Sequence, residues 1–238
     1  MRGVFFCQLP LGRAAGVAVS KAVRMLCDKC CGATYAQHGE DRQLLHYAWL
    51  SPSKFYVDVG CHSPEDHSNT YLLYQMGWSG LCVDANRDLL MKFRKVRPRD
   101  RVECVCVGET PGEATFVIAS DPKVSHVAGG ALVDARAGDE ARRIAIPVKS
   151  LQQLFEEHNV PSSIGLLSID VEGVDFAVLR SFDLRRWRPH LILIEIHDLD
   201  LENCSANEVV SFLRSAGYRL VGYNTYNALF LDAEGPTR

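Results

Sequence analysis

The sequence predicts an α/β fold: a mostly parallel, doubly wound sheet with a C-terminal antiparallel hairpin strand. Two observations predict it. From residue 55 onward, short apolar runs alternate with amphipathic helical stretches, the pattern of parallel strands joined by crossover helices. At the C-terminus, apolar runs at 218–222 and 228–231 are separated only by a turn, and so short a connection demands an antiparallel partner. A chain of 238 residues suits one such domain, 35–238, with an N-terminal extension over 1–34.

Each element has a local reason. Gln37-His38-Gly39-Glu40-Asp41 leads into a helix over about 40–50. Phe55-Tyr56-Val57-Asp58-Val59 is strand one, which turns at Gly60. A helix over 69–76 has Ser68 as its N-cap and Gly77-Trp78 as a Schellman-type stop. Strand two is Gly80 to Asp84. The helix over 87–96 puts Leu89, Leu90 and Phe93 on one face and ends before Pro98. Strand three is Val102 to Val107, and a hairpin arm is expected at 114–119. The stretch 120–142, rich in Gly, Ala, Ser and Asp, is long for a plain loop and reads as a lid hinged at Gly129-Gly130. Ser150-Leu151-Gln152-Gln153 opens a helix to about 158 with a capping box. Strand four is Gly165 to Val171, a helix covers 174–182, and strand five is Leu191 to Ile196. Ser205-Ala206-Asn207-Glu208 reads as a second capping box, before a helix that buries Val209, Phe212, Leu213 and Ala216.

Bulk properties exclude several classes. The formal net charge is −3, whereas a nucleic-acid binder carries a basic excess, so no nucleic-acid partner is expected. The local basic run Lys92, Arg94, Lys95, Arg97, Arg99, Arg101 reads as a helix C-terminus followed by a solvated loop. Of nine cysteines, Cys82, Cys104 and Cys106 lie in apolar runs, which suits thiols in a reducing compartment and a cytoplasmic protein. Cys27, Cys30 and Cys31 cluster, but zinc would need Cys7, His38 or His46 to complete the set, and a thiol-bearing linker is the preferred reading. No apolar run is long enough to span a membrane, and the N-terminus, broken by Pro10 and Arg13, is a poor secretory signal. Residues 13–26 suit a basic amphipathic helix that packs on the domain or touches a membrane surface.

The charged residues of the strands collect at one edge: Asp58, then Asp84, then Asp170 and Glu172, then Glu195 and His197. Open α/β sheets bind ligands outside the carboxyl ends of their strands. Asp84, about 24 residues beyond Gly60, is placed to accept hydrogen bonds from ribose hydroxyls. The loop DVGCHSPEDHSNT over 58–70 lacks the second and third glycines of a pyrophosphate-binding loop, and Glu65 and Asp66 would repel a pyrophosphate. A phosphate-free cation such as S-adenosylmethionine fits better. Strand parity puts Ser168, Asp170 and Glu172 on one side, and Glu195 with His197 on one side of the next strand. His197 is the candidate general base. Asp170, Glu195 and His197 also have the chemistry to hold a divalent metal, although acids that cap the next helix are the preferred reading.

These stretches resemble the FkbM-type S-adenosylmethionine-dependent methyltransferases. The resemblance rests on Gln37-His38-Gly39-Glu40-Asp41, on FYVDVGCHSPEDHSNTYLLYQMGWSGLCVDAN over 55–86, and on LLSIDVEGVDFAVLRSFDLRRWRPHLILIEIHD over 166–198, and covers roughly 35–232. It implies a Rossmann-like class I methyltransferase fold and methyl transfer to a hydroxyl, with a small-molecule or glycan acceptor. By motif position, Asp58 and Gly60 would frame the methionine part of the cofactor, with Gln37 and Asn69 among its contacts. Asp84 would hold the ribose, Asn86 its turn, and Val107 and Gly108 would lie near the adenine. His197, Glu172, Asp170 and Glu195 would serve catalysis. Many members carry a glycine-bearing loop where this chain has Cys61-His62-Ser63-Pro64. Alternatives are a nucleotide- or NAD-dependent Rossmann enzyme and a degenerate, methyltransferase-like binding module. Which of His62, Glu65, Asp66 and His67 faces the substrate is open at this level.

Overall fold

The computed structural model describes residues 34–119, 125–128 and 142–234. The proposed helix at 13–26, the Cys27, Cys30 and Cys31 cluster, and most of the proposed lid, including Gly129 and Gly130, lie outside the described residues. No described helix is long and apolar enough to cross a membrane.

In chain order the first half comprises α1 (Glu40–Ala48), β1 (Phe55–Val59), α2 (Tyr71–Gln75), β2 (Ser79–Val83), α3 (Arg87–Val96), β3 (Arg101–Glu103) and β4 (Cys106–Val107). The remainder is β5 (Gly112–Ile118), β6 (His126–Val127), β7 (Arg142–Lys149), α4 (Leu151–Glu157), β8 (Ser163–Ile169), α5 (Asp175–Arg180), β9 (Arg188–Glu195), α6 (Glu208–Ser215), β10 (Tyr218–Asn224) and β11 (Asn227–Asp232). Seven strands form one sheet in the order β10-β11-β9-β8-β1-β2-β3. All neighbours are parallel except β11, which runs antiparallel to both β9 and β10. The predicted terminal hairpin is therefore present, and the Rossmann-like class I methyltransferase order is complete. The chain leaves β1 toward β2 and β3, then returns to β8 on the other side of β1, so the strand order reverses between β1 and β8.

Strand alternation sorts the core into two layers. Val57, Val59, Leu81, Val83, Leu167, Ile169, Ile192 and Ile194 face α4, α5 and α6 through Leu151, Val178, Leu179 and Leu213. Tyr56, Cys82, Leu166, Leu191 and Leu193 face the other way, against Leu44 of α1, Leu73 of α2 and Leu90 and Phe93 of α3. Burying both faces of the sheet is the main source of stability.

Local signals stop the elements largely where the sequence places them. The end of α2 is a Schellman turn: Trp78 N–H donates to Leu73 O at 3.1 Å and Gly77 N–H to Tyr74 O at 3.0 Å, with Gly77 at φ +88°. Ser68 Oγ accepts Tyr71 N–H at 3.1 Å, although α2 begins two residues later than predicted. The Ser150–Gln153 capping box of α4 is complete. The second capping box is not: Asn207 caps α6, accepting from Val209 and Val210 N–H, while Ser205 lies in a 3₁₀ turn. In α6, Val210 is buried with Val209 and Leu213, and Phe212 is only partly covered.

The predicted third strand is two strands in different sheets. It breaks after Glu103; β3 stays beside β2, and β4 joins a second sheet of order β4-β7-β5-β6. The predicted arm at 114–119 is β5, whose partners are β7 and β6. Alternation again explains the layout. Val105 and Val107 point into the main core, whereas Cys106 packs with Ala85, Phe116 and Ile146 in a small separate cluster. Two apolar faces served by one short segment cannot be told from one strand by composition alone.

Candidate active site

A cavity of about 540 Å³ opens at the carboxyl ends of β1, β2, β8 and β9, with β4 and β5 closing one side. That volume is ordinary for a small-molecule site. It lies at the β1/β8 reversal, where open α/β sheets bind ligands. Among the described residues, its lining includes Gln37, Asp58, Gly60, Asn69, Asp84, Asn86, Val107, Asp170, Glu172, Glu195 and His197. The sequence-predicted residues are thus brought together, except Gly108, which is not in the lining; its N–H donates to Lys149 O at 3.0 Å in the second sheet.

The loop after β1 is held from below. Gly60 sits at φ +80°, and a Cβ there would fall 1.7 Å from Asp170 O; only glycine lets the ends of β1 and β8 approach this closely. Its N–H donates to Val83 O at 2.9 Å. Asp58 is buried, and Thr70 Oγ1 donates to its Oδ2 at 2.5 Å. Burial pushes the Asp58 carboxyl above its ordinary range, against the pull of the Arg97 cation and of hydrogen bonds from Thr70 and Ser168.

Arg97 corrects the reading of the basic run. It is not solvated but fully buried. Its Nε meets Asp100 Oδ2 at 2.6 Å, and neither side chain is exposed. One terminal nitrogen donates to Tyr56 Oη at 2.8 Å and Thr70 Oγ1 at 2.9 Å. The other reaches Ser68 Oγ at 3.2 Å and Pro64 O at 3.4 Å. The rings of Phe93, Tyr74 and Tyr56 surround it at 5.0, 5.3 and 5.4 Å. Arg97 therefore ties α3 and β1 to the middle and the C-terminal end of the loop over 61–70. Its position beside Pro98 at a helix end carries no signal of this, because its oxygen partners other than Asp100 come from 27 to 41 residues away.

The four side chains left open by the sequence now separate. His62 and His67 line the cavity, both with left-handed φ, +48° and +55°. Glu65 instead accepts from Tyr71 Oη at 2.9 Å, and Asp66 is exposed.

At the end of β2, both Asp84 oxygens accept main-chain donors: His62 N–H at 2.9 Å and Asn86 N–H at 2.7 Å. Burial lifts its carboxyl to about 6, partly offset by those two bonds. Asn86 caps α3 by accepting Asp88 N–H. Beyond it, Val83, Ala85, Leu89, Val105, Val107, Phe116 and Val127 make an apolar wall.

At the ends of β8 and β9 the cavity is acidic. Asp175, which sequence reasoning missed, accepts Val171 and Gly173 N–H at 3.0 and 3.1 Å. It thereby shapes the turn that presents Glu172, at φ +55°. An acid two residues after a strand-end glycine is the signal that could have found it. Burial and then repulsion among Asp170, Asp175 and Glu172 raise Asp170 and Glu195 well above the usual carboxylate range. His197 Nε2 lies 3.3 Å from Glu195 Oε2, as strand parity predicted, and its ring packs tilted against Tyr226 with centroids 4.9 Å apart. Gln37 and His38 lie at the cavity beside Glu40, whose Oε2 accepts His38 N–H locally and whose Oε1 accepts from Asn227 Nδ2, 187 residues away.

The model of the methyltransferase FkbM domain matches residues 58–220. The chain belongs to the FkbM methyltransferase family. Comparison with curated proteins returned no match. Among solved structures, a TehB-like S-adenosylmethionine-dependent methyltransferase from Corynebacterium glutamicum is similar at 11% identity and TM-score 0.38, covering 92% of this chain and 99% of that one. That likeness is too distant to carry an argument; the family match and the strand order carry it. The nucleotide- or NAD-dependent alternative falls with them.

Membership of the FkbM methyltransferase family implies S-adenosylmethionine as the methyl donor. The residues present fit that group: among the described lining residues six are carboxylates and none is Lys or Arg. Such a cavity disfavours phosphate and favours a sulfonium with an ammonium group. Asp84 beside an apolar wall offers ribose acceptors next to a surface for a base.

Proposed function

We propose that this methyltransferase methylates a hydroxyl oxygen on an uncharged, polyhydroxylated acceptor, a sugar or polysaccharide or a secondary metabolite. The observation that carries the reading is the group Asp170, Glu172, Glu195 and His197 at the cavity's acidic end. An alcohol needs help to lose its proton, and an imidazole backed by a carboxylate supplies it. The absence of Lys and Arg among the described lining residues argues against a phosphorylated or carboxylated acceptor.

The bound cofactor supplies an electrophilic methyl group for in-line displacement. Asp84 would accept the ribose hydroxyls, with Asn86 holding its turn and Val107 on the apolar wall beside the adenine. Asp58, Gly60, Gln37 and Asn69 would surround the methionine portion. His197 would take the acceptor proton at Nε2, and Glu195 at 3.3 Å would stabilise the imidazolium. Glu172 and Asp170 would orient the acceptor. Alignment of hydroxyl and methyl contributes most of the acceleration, and a positioned base adds about 10²–10⁴-fold.

The test has two stages. Calorimetry with S-adenosylhomocysteine reads cofactor binding. Methyl transfer from labelled cofactor is then measured across neutral glycans, polyols, phenols and their phosphorylated counterparts. His197→Ala should lower kcat by roughly 10²–10⁴-fold and Glu172→Ala, which loses orientation, by roughly 10²-fold, each with cofactor affinity retained. Full turnover in both variants would sink the assignment, and cofactor binding with no methylated product would favour a binding module instead.

A further inference from the structure

We propose that Glu172, Glu195 and His197 form a binding site for a divalent cation of the Mn²⁺ type, which would hold the acceptor hydroxyl. One ligand atom from each of the three side chains lies within 4.8 Å of the others. Two neighbouring ligands on an octahedral ion at about 2.1 Å are roughly 3.0 Å apart. The His197 Nε2 to Glu195 Oε2 separation, 3.3 Å, needs only slight closure.

A second, independent observation is the state of Glu195. Its side chain is only 8% exposed, and its Oε2 is buried with no hydrogen-bond partner. His197 approaches that oxygen within ion-pair distance but without hydrogen-bond geometry. A buried carboxyl oxygen with no hydrogen-bond partner is costly, and a cation between the three ligands removes the deficit. The other described cluster of this kind, Glu103, Glu157 and His158, differs in one respect. There Lys149 Nζ lies 3.1 Å from Glu103 and 2.6 Å from Glu157, so an ammonium already fills the place of an ion. At Glu195 no described Lys or Arg lines the cavity.

The donor set selects the ion. Two carboxylates and one imidazole, with no thiolate, suit Mn²⁺ better than Ca²⁺, and the half-open position leaves sites for water and acceptor oxygens. Coordination would lower the pKa of the acceptor hydroxyl, its proton leaving to solvent. His197 would then act as a ligand rather than as the base. This consequence rests on the O-methylation reading, whereas the site itself does not.

The experiment uses the full chain without a histidine tag. Mn²⁺ is titrated in the presence of S-adenosylhomocysteine, and free ion is followed by its electron paramagnetic resonance signal. One ion per chain is expected. Glu195→Gln and His197→Ala should weaken binding at least tenfold, and Glu157→Gln should leave it unchanged. Because His197 is half exposed, its substitution spares the core, and thermal melts verify folding. Binding of S-adenosylhomocysteine without Mn²⁺ uptake would overturn the cation site and leave the methyltransferase reading standing. Mn²⁺ affinity unchanged in both Glu195→Gln and His197→Ala would overturn it equally.

Discussion

Arg97→Met tests whether a buried cation anchors the cofactor loop. The native guanidinium pairs with Asp100 at 2.6 Å with neither side chain exposed, and donates to Tyr56, Thr70, Ser68 and Pro64. Methionine fills similar space but leaves buried Asp100 and Asp58 without the cation that acts on both. Asp100 keeps the Tyr56 hydroxyl and Gly80 N–H, so it is not wholly stranded. Removing one partner of a buried pair costs about 3–5 kcal/mol. With a urea m-value of about 2 kcal/mol/M, the midpoint should fall by roughly 1.5–2.5 M. The loop carrying His62 and His67 loses its ties at Pro64, Ser68 and Thr70, so S-adenosylhomocysteine affinity should drop at least tenfold, about 1.4 kcal/mol. Arg97→Lys should fall between the two, because an ammonium cannot reproduce the planar fork. Urea melts followed by tryptophan fluorescence, with calorimetry on the folded variants, read both effects. A cycle with Asp100→Asn should give a coupling above about 1 kcal/mol. Loss of less than about 1 kcal/mol in Arg97→Met, or no coupling to Asp100, would refute the anchoring role.

Gly60→Ala places a Cβ 1.7 Å from Asp170 O at φ +80°. Left-handed backbone and overpacking together should cost roughly 2–5 kcal/mol, read as a lower Tm with lost cofactor binding; a variant within 1 °C of the parent would contradict the close approach. Burial lifts Asp84 to about 6. Its raised value means that its contribution to stability is present below the unfolded carboxylate range and is lost as pH rises through about 6. Ribose hydroxyls donate to the ionised form, so S-adenosylhomocysteine affinity should rise from pH 5 to 8. Asp84→Asn should flatten that profile and weaken binding; an unaltered profile would remove Asp84 from the ribose.

Local chemistry was legible where one residue alone suited each local role. The Schellman stop at Gly77, the capping box at Ser150 and the α3 face of Leu89, Leu90 and Phe93 depend on residues within one or two turns. The collection of acids at strand ends was legible too, because strand boundaries follow from apolar runs and the parallel alternation puts those ends on one edge. Strand parity extended this to Glu195 and His197, which the structure brings to 3.3 Å. Where several residues could play one local role, the reading failed: Asn207, not Ser205, caps α6, since Asn207 is the residue in extended conformation just before the helix.

The sequence by itself determined the doubly wound, mostly parallel sheet, the antiparallel last strand and a sheet edge lined with carboxylates, since each follows from periodicity or from short connections. Only the tertiary structure decided what those carboxylates meet. Arg97 is a buried hub rather than a solvated end, Asp58 is bound to Thr70, and His62 and His67 face the cavity while Glu65 turns to Tyr71. The run over 102–107 divides between two sheets because Val105 and Val107 find the main core and Cys106 finds Phe116 and Ile146. The physical reason is common to all of them. A charge's cost or gain depends on which distant groups surround it once water is excluded, and those neighbours are assigned only when the chain closes on itself.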